Sequence, residues 1–315
     1  QESILLLTLH HIVCDGWSIG ILRKEITACY QAYVRGDELS NVLSPLTIGY
    51  SDYAAWQKSL DLNHQITYWK QQLSALPPLL ALPTDYPRPA EPSGKGASYE
   101  FRLSQAETKA LQQFSQQHQV TLYMSLLTAF NILLYRYSQV TDLAIGTPIA
   151  NRQRPEVSGL IGLFVNTLVM RTSLGNNPKV SDLLVQVRQV VLAAYAHQDL
   201  PFEQLIDELE IPRSHSHTPL IQVMFALQHD TLINPSAQIA EQMADADGIT
   251  LQWSPLTVKS ETAKFDLTLD MRETEKGLIG RLEYRTDLFS ADSILRMAGH
   301  LRNLLKTLPQ NSEQR

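Results

Sequence analysis

Residues 5–18 read Leu-Leu-Leu-Thr-Leu-His-His-Ile-Val-Cys-Asp-Gly-Trp-Ser, and their pattern changes in the middle. The nearly unbroken apolar run over 4–9 is typical of a strand that is covered on both faces. From Trp17 onward, apolar residues recur at helical spacing as far as Tyr33, and Gly36 is a suitable residue to end a helix. The stretch therefore predicts a buried strand, a turn and a long helix.

Two adjacent histidines, His10 and His11, stand at the end of the predicted strand. Neighbouring side chains of a strand point to opposite faces, so only one of the two can face a given cavity. A neutral imidazole, with a pKa of about 6.5, is suited to take a proton from an amine or an alcohol. The alternative is that both are hydrogen-bonded core residues. A shared metal site is disfavoured, because the two side chains diverge and no other His or Cys cluster lies nearby in the sequence.

Asp15 and Gly16 follow the histidines at the predicted start of the helix. The Asp15 carboxylate can orient an imidazole directly, or it can pair with an arginine and brace the turn. Arg152 and Arg171 are both candidates for that arginine, and the sequence does not choose between them. Gly16 is expected at a position where a β-carbon or a negative φ is not tolerated.

The overall composition is that of an ordinary globular protein. The chain has 315 residues, of which 44% are hydrophobic and 18% charged, enough apolar content for one large or two medium cores. The net charge of -6 predicts no basic face, which makes nucleic acid and anionic membranes poor partners. Two cysteines, Cys14 and Cys29, form no disulfide framework and fit a reducing, cytoplasmic location. No apolar run approaches the ~20 residues that span a bilayer.

Six prolines between Leu76 and Ala97 exclude a helix or an interior strand there. We therefore expect three regions: 1–76 with the paired histidines, a linker over 77–97, and a second lobe over 98–315. In the first region, one helix is predicted to begin at Ser51 and a second helix is predicted to span 63–76. Because the chain begins inside an expected core strand without an initiator Met, it is expected to be a fragment of a longer polypeptide.

The second lobe alternates helical and strand patterns. Helices are predicted at 104–118, opened by a Ser104–Glu107 capping box, and at 121–137, 181–197, 201–210 and 290–308. Strands are predicted at 142–149, 164–171, 221–227, 265–271 and 278–284. The acidic stretch 234–248 has little pattern and is expected to be a mobile loop.

The segment His10–Gly16 matches the HHxxxDG signature of the condensation-domain superfamily of nonribosomal peptide synthetases, which is related to chloramphenicol acetyltransferase. Four further stretches resemble the family's motifs in the same order, at 50–57, at 151–152 with 161–167, at 197–203, and at 213–220. In the last of these, Ser214 and His217 replace an acidic and a basic residue, so an ion pair there is doubtful. The resemblance implies an α/β fold with two lobes, each a mixed sheet covered by helices, and a first lobe that lacks its N-terminal part.

The resemblance also implies a function, an acyltransferase that forms an amide bond. The donor thioester and the acceptor amine would each arrive on the phosphopantetheine arm of a carrier domain, with an adenylation domain as neighbour and no cofactor or metal held by the domain itself. His11 would be catalytic. His10, Asp15 and Gly16 would support it, and Trp17, Ser18 and Asn166 would line the substrate channel.

Two other functions stay open beside this one. The chain can be a free-standing acyltransferase that uses a soluble acyl donor, or a docking module without activity, although the intact motif argues against the latter. Residues 16–18 and 166–171 resemble domains that join two L-residues more than they resemble epimerases. Heterocyclising relatives carry aspartate in place of the two histidines, so that class is disfavoured.

The stretch 197–203 reads His-Gln-Asp-Leu-Pro-Phe-Glu and permits either acid–base chemistry or a structural corner. We favour the corner, with Asp199 capping the helix that Pro201 begins and His197 satisfying the end of the preceding helix. Asn166 likewise has an alternative, a surface residue at a strand edge.

Overall fold

The computed structural model describes residues 3–212, 214–229 and 261–315 of a mixed α/β protein. The chain forms two compact units. The first contains Gln1–Asp61, Ala150–Val165 and His229–Thr257, and the second contains Leu62–Ile149, Asn166–Gln228 and Val258–Arg315. Compared with the predicted regions, the unit that holds the histidines also includes 150–165, and residues 62–76 belong to the second unit. The predicted division at 76 and 97 stays a prediction.

The first unit is helical in its described part. Helix α1 spans Gly16–Arg35 and ends at Gly36, whose φ of 77° is the left-handed conformation that glycine adopts without strain. Helix α2 spans Tyr50–Lys58, and its first turn is closed by the Asp52 carboxylate, which accepts the Gly49 N–H at 2.7 Å. Gly49 therefore replaces the predicted Ser51 as the N-terminal cap. A small core joins this helix to the 150–165 segment and consists of Tyr53, Val157, Leu160 and Phe164.

The predicted strand over 4–9 is wrong. These residues have no regular secondary structure, and their large apolar side chains are exposed, Ile4 by 82% and Leu6 by 83%. A strand exists only when a neighbour accepts and donates its backbone hydrogen bonds, and no strand in the described part of the chain pairs with this segment. An apolar sequence is thus not sufficient to make a strand.

This exposure leads to a prediction for amide hydrogen exchange. We expect the amides of 4–9 to exchange at rates close to those of an unfolded peptide, because they lack backbone partners, while those of Leu143 and Ile145, at 0% exposure, stay protected. Exchange measured by mass spectrometry on the monomeric chain tests this. Strong protection of 4–9 in a monomer would contradict the structure of this segment.

The described part of the second unit is built on a mixed sheet of six strands. In chain order these are β1 Gly96–Ser104, β2 Asp142–Ile149, β3 Asn166–Ser173, β4 Val223–His229, β5 Leu267–Thr274 and β6 Gly277–Arg285. Their spatial order is β1-β6-β5-β4-β2-β3. Strand β6 is antiparallel to both of its neighbours, β1 and β5, whereas β2 is antiparallel to β3 and parallel to β4.

Helices pack against the sheet and share one continuous hydrophobic core with it. They are α3 Asn63–Gln72, α4 Gln105–Gln117, α5 Leu122–Ser138, α6 Val180–Ala196, α7 Phe202–Glu208 and α8 Ala291–Thr307. The predicted capping box at Ser104 is confirmed, and Thr121 and Ser290, where two further helices were predicted to begin, are also N-terminal caps, each through a side-chain oxygen that accepts a backbone N–H of the first turn. The mixed α/β class is confirmed as well.

The proline-rich segment is tied closely to the second unit. Leu80 and Leu82 are buried, and the Gln222 side chain accepts the Leu80 N–H at 2.8 Å. The guanidinium of Arg88 binds the carboxylate of Asp266, with 3.0 Å between Nη1 and Oδ1. The end of this segment runs into edge strand β1, which was not predicted although Tyr99–Leu103 alternates apolar and charged residues. The loop predicted at 234–248 lies outside the described residues.

Candidate active site

His10 and His11 lie in a single turn of 3-10 helix, His11–Val13, rather than on a strand. The two imidazoles have opposite hydrogen-bonding roles. Nδ1 of His10 accepts the Ile12 N–H at 3.1 Å, whereas Nδ1 of His11 lies 2.8 Å from the Cys14 carbonyl oxygen. A carbonyl only accepts, so Nδ1 of His11 carries a proton, and in the neutral imidazole Nε2 is the nitrogen that keeps its lone pair. His11 is exposed and can therefore present this lone pair to a substrate.

Asp15 follows this turn in the chain, immediately before α1, and is only 3% exposed. As the N-terminal cap of α1 it accepts the Ser18 N–H on Oδ1 at 2.8 Å, and Oδ2 accepts the Phe164 N–H at 3.0 Å. Burial alone would raise the pKa of this carboxyl, but these hydrogen bonds and the charge of Arg152 outweigh it and hold the pKa below its ordinary value. Asp15 thus stays ionised and joins the histidine turn to the 150–165 segment.

The structure brings Asp15 together with Arg152. Nη2 of Arg152 is 3.3 Å from Oδ1 of Asp15, and Nη1 donates to the carbonyls of Val157 and Leu160, both at 2.7 Å. The side chain is 1% exposed, and its guanidinium carbon lies 3.9 Å from the centre of the Phe164 ring. This enclosure, rather than the carboxylate alone, holds the cation in place.

Arg171 is placed in the second unit instead. It forms a two-point ion pair with Asp142, at 2.9 and 2.6 Å, and donates to the carbonyls of Gln72 and Ser74 at the end of α3. The sequence left both arginines open because Arg152 follows a predicted strand and Arg171 ends one, and nothing local separates a helix-capping arginine from one that pairs with Asp15.

Ser18 is not available to line a channel, contrary to the expectation. It is 0% exposed, and its hydroxyl oxygen is 2.8 Å from Oδ1 of Asp15, 2.8 Å from Nη2 of Arg152 and 2.9 Å from the Gly162 carbonyl. Every direction around the hydroxyl is occupied by protein. The residue therefore holds the site together rather than contacting substrate.

Gly16 and Trp17 form the exposed first turn of α1. A β-carbon at Gly16 would meet no atom within 4 Å, and its φ is not positive, so the expected steric requirement for glycine is wrong within the folded chain. The backbone N–H groups of Gly16 and Trp17 have no acceptor in the described part of the chain. The indole N–H of Trp17 donates to the Ser158 carbonyl at 3.0 Å, which leaves the ring 38% exposed beside the turn.

Gly162 and Tyr50 belong to the site, although neither was named as a site residue from the sequence. A β-carbon at Gly162 would collide with the Tyr50 ring, and the Tyr50 hydroxyl donates to the Leu163 carbonyl at 2.7 Å. The Gly162 carbonyl accepts the Asp15 N–H at 3.1 Å. The available signal was the glycine in the Ile161–Thr167 motif, but its partner lies more than a hundred residues away.

Asn166 lies in the second unit with its amide fully occupied. Nδ2 donates to the carbonyls of Gln198 and Leu200, and Oδ1 accepts the N–H groups of Phe202 and Thr167, all between 2.8 and 3.0 Å. An asparagine side chain can make four such bonds. No polar atom of Asn166 is left for a substrate, so we replace its expected channel role with that of a clamp on the α6–α7 corner.

The α6–α7 corner is structural, as the sequence favoured, but one detail is wrong. Nδ1 of His197 lies 2.8 Å from the Ala193 carbonyl at the end of α6, and the ring stacks on Tyr68 with 3.8 Å between centroids. Asp199 does not cap α7. Its carboxylate accepts from the Gln65 amide at 2.8 Å, and the first N–H of α7 is taken by Asn166.

The described residues contain no cluster of three or more His, Cys, Asp or Glu side chains that could hold a metal ion. They also contain no helix with the length and apolar character needed to span a bilayer.

The whole chain, residues 1–315, matches the family model of the condensation domain. It is 44% identical to malpinin synthetase of Mortierella alpina, over 100% of this chain and 4% of that protein. It is 39% identical to the dimodular nonribosomal peptide synthase of Bacillus subtilis, over 100% of this chain and 13% of that protein. The chain therefore spans only a small part of these relatives.

Solved structures show the same fold. The X-domain from teicoplanin biosynthesis superposes with a TM-score of 0.84 at 26% identity, over 98% of this chain and 69% of that one. Holo-AB3403, a four domain nonribosomal peptide synthetase bound to AMP and glycine, gives 0.83 at 26% identity, over 97% of this chain and 23% of that one. The chloramphenicol acetyltransferase-like fold is thereby confirmed, and the chain belongs to the condensation-domain family.

Proposed function

We propose that the chain acts as the condensation domain of a nonribosomal peptide synthetase, an acyltransferase that forms an amide bond. The observation that carries this proposal is the geometry of His11, an exposed residue whose Nδ1 is bound to the Cys14 carbonyl, so that in the neutral imidazole Nε2 is the proton acceptor. The peptide synthetases among the relatives support the reaction class.

The chemistry needs one base and good alignment. The amine of the acceptor attacks the thioester carbonyl of the donor, a C–N bond forms, and the C–S bond breaks to release the carrier thiol. Nε2 of His11 takes the proton that the amine loses and can return it to the departing sulfur. Positioning supplies much of the rate, because two tethered reactants held together approach an intramolecular reaction. No nucleophile of the protein is required.

The first turn of α1 supplies a second feature. The N–H groups of Gly16 and Trp17 stand beside the histidine turn without an acceptor in the described part of the chain, at the positive end of a 20-residue helix. Negative charge that develops on the thioester oxygen can be stabilised there. The open space at Gly16 gives that oxygen room to approach.

The substrates and partners follow from the family. We assign the donor and the acceptor to phosphopantetheine arms of upstream and downstream carrier domains, with an adenylation domain as neighbour, both reactants as L-residues, and a cytoplasmic location. The multidomain synthetase among the solved relatives supports this arrangement.

Mixing two loaded carrier domains with a longer polypeptide that contains this chain tests the function, because the chain spans only a small part of its relatives. We expect the acyl group to move to the amine on the acceptor carrier, seen by mass spectrometry of the intact carriers. Product from a soluble acyl thioester as efficiently as from the carrier would favour a free-standing acyltransferase. Binding of the carriers without product would favour a docking module.

The variant Gly16→Ala tests whether the open space at this position is needed by the substrate rather than for the stability of the fold. Because no atom lies near the added methyl group, the free energy of unfolding should not fall. Condensation should nevertheless drop by about 100-fold, since a misplacement of about 1 Å at the reacting groups has effects of that size. Gly299→Ala in α8 is the matched control, because its added methyl also meets no atom, and it should keep full activity. Full activity of Gly16→Ala would show that the oxyanion does not bind at this turn.

A further inference from the structure

The peptide unit between Cys14 and Asp15 is held at both of its polar ends. Its carbonyl accepts the Nδ1–H of His11 at 2.8 Å, and its N–H donates to the Gly162 carbonyl at 3.1 Å. In a planar trans peptide these two groups point in opposite directions, so a rotation of the plane weakens both bonds together. The orientation of this one peptide therefore decides which nitrogen of His11 carries the proton.

Gly162 is in turn held by Ser18. The Gly162 N–H donates to the Ser18 hydroxyl oxygen at 3.1 Å, and the Gly162 carbonyl lies 2.9 Å from the same oxygen. The Tyr50 ring blocks movement on the side where a β-carbon would lie. Both backbone groups of Gly162 thus depend on one buried hydroxyl.

The backbone and the side chain of Ser18 are both held by hydrogen bonds. Its backbone N–H is bound to Oδ1 of Asp15, and its hydroxyl oxygen accepts from Nη2 of Arg152 at 2.8 Å. The residue is 0% exposed and sits in the first turn of α1. Its position is therefore fixed by a buried ion pair, and it passes that constraint to Gly162.

We infer that Ser18 is a positioning residue for His11, acting through Gly162 and the Cys14–Asp15 peptide. Without its hydroxyl, the Gly162 N–H loses its acceptor and the Gly162 carbonyl loses a neighbour. The peptide plane can then rotate away from His11, and Nδ1 and Nε2 come to share the proton. The inference rests on the proposed function for its kinetic consequence, but its structural consequence can be measured separately.

Nitrogen-15 NMR of the histidine-labelled chain tests the structural part. In the parent, the His11 signals, identified by their loss in His11→Gln, should show a protonated Nδ1 and an unprotonated Nε2. Ser18→Ala should give a mixture of tautomers, and Ser18→Thr, which retains the hydroxyl, should restore the parent spectrum. Ser125→Ala removes another fully buried serine hydroxyl, bound to Ser115 at 2.7 Å, and should leave His11 unchanged. If Ser18→Ala does not fold, the near-isosteric Ser18→Cys serves instead.

Kinetics with loaded carriers test the rest. Groups that orient metal-binding histidines are typically worth about 10–100-fold, and we expect kcat to fall by a similar factor in Ser18→Ala while KM for the acceptor carrier stays the same. Ser125→Ala should change neither. An unchanged His11 spectrum in folded Ser18→Ala or Ser18→Cys would overturn the inference. Retained activity of His11→Ala would instead overturn the proposed function and leave the tautomer result standing.

Discussion

Replacing His11 by alanine is expected to reduce amide formation by ~10²–10⁴-fold, the usual contribution of a general base. The imidazole is exposed and offers Nε2 as an acceptor, whereas its Nδ1 makes a single bond to the Cys14 carbonyl. Removing one such bond costs about 0.5–1.5 kcal/mol, so the variant should remain folded. The rate of product formation on the acceptor carrier, measured beside a thermal unfolding curve, checks both statements.

His10→Ala is the matched control for this experiment. It removes a neighbouring imidazole whose Nδ1 accepts the Ile12 N–H and whose role is to cap the turn. We expect a loss of about 1 kcal/mol in stability, as for other caps, and a smaller loss of rate than for His11→Ala. Equal turnover of His11→Ala and the parent would show that His11 is not the base. Equal losses of rate in both variants would mean that the turn, not the base, matters.

Elements whose signals are local were predictable from the sequence. The capping box at Ser104 and the cap at Thr121 define their helices because each contact spans only three residues. The pattern over 142–149 marks β2 with the same bounds in the structure. Helix α1 ends at Gly36, as predicted, because a glycine in the left-handed region ends a helix wherever it lies in the fold.

Features that depend on distant partners were not predictable. The apolar run over 4–9 looks like a buried strand, but pairing decides whether a strand forms, and the run carries no information about its neighbour. Asn166 and Asp199 were misjudged for the same reason. Their hydrogen bonds go to the α6–α7 corner and to Gln65, contacts that no short motif contains.

The candidate site shows the same division. The HHxxxDG spacing placed His11, Asp15 and the helix start in one short stretch, so their proximity followed from the sequence. The other half of the site comes from 150–165, more than 130 residues away. The choice between Arg152 and Arg171 needed the structure, because only the fold encloses Arg152 against Phe164 and the two carbonyls that bind it.

Asp15→Ala is expected to lower the free energy of unfolding by ~3–5 kcal/mol, the usual cost of leaving one partner of a buried ion pair alone. Asp15 is 3% exposed and the Arg152 side chain 1%, so the guanidinium would be left as a charge without a carboxylate partner and out of contact with bulk water. The Phe164 N–H and the start of α1 lose their acceptors as well. Activity should fall together with stability, because the histidine turn is attached to this carboxylate.

Chemical denaturation of a set of variants checks the Asp15 prediction and its cause. Arg152→Met combined with Asp15→Ala should recover part of the loss, because it removes the unpaired charge. Asp142→Ala breaks the ion pair between Asp142 and Arg171, whose side chains are 33% and 20% exposed. This variant should lower the free energy of unfolding clearly less than Asp15→Ala does. Because the pKa of Asp15 is lowered on folding, its stabilisation is complete above the unfolded value of about 3.9 and disappears as the pH falls through the lower folded value. The stability difference between parent and Asp15→Ala should therefore be constant near neutral pH and shrink in acid. An inactive Asp15→Ala that unfolds like the parent would instead place Asp15 in the chemistry.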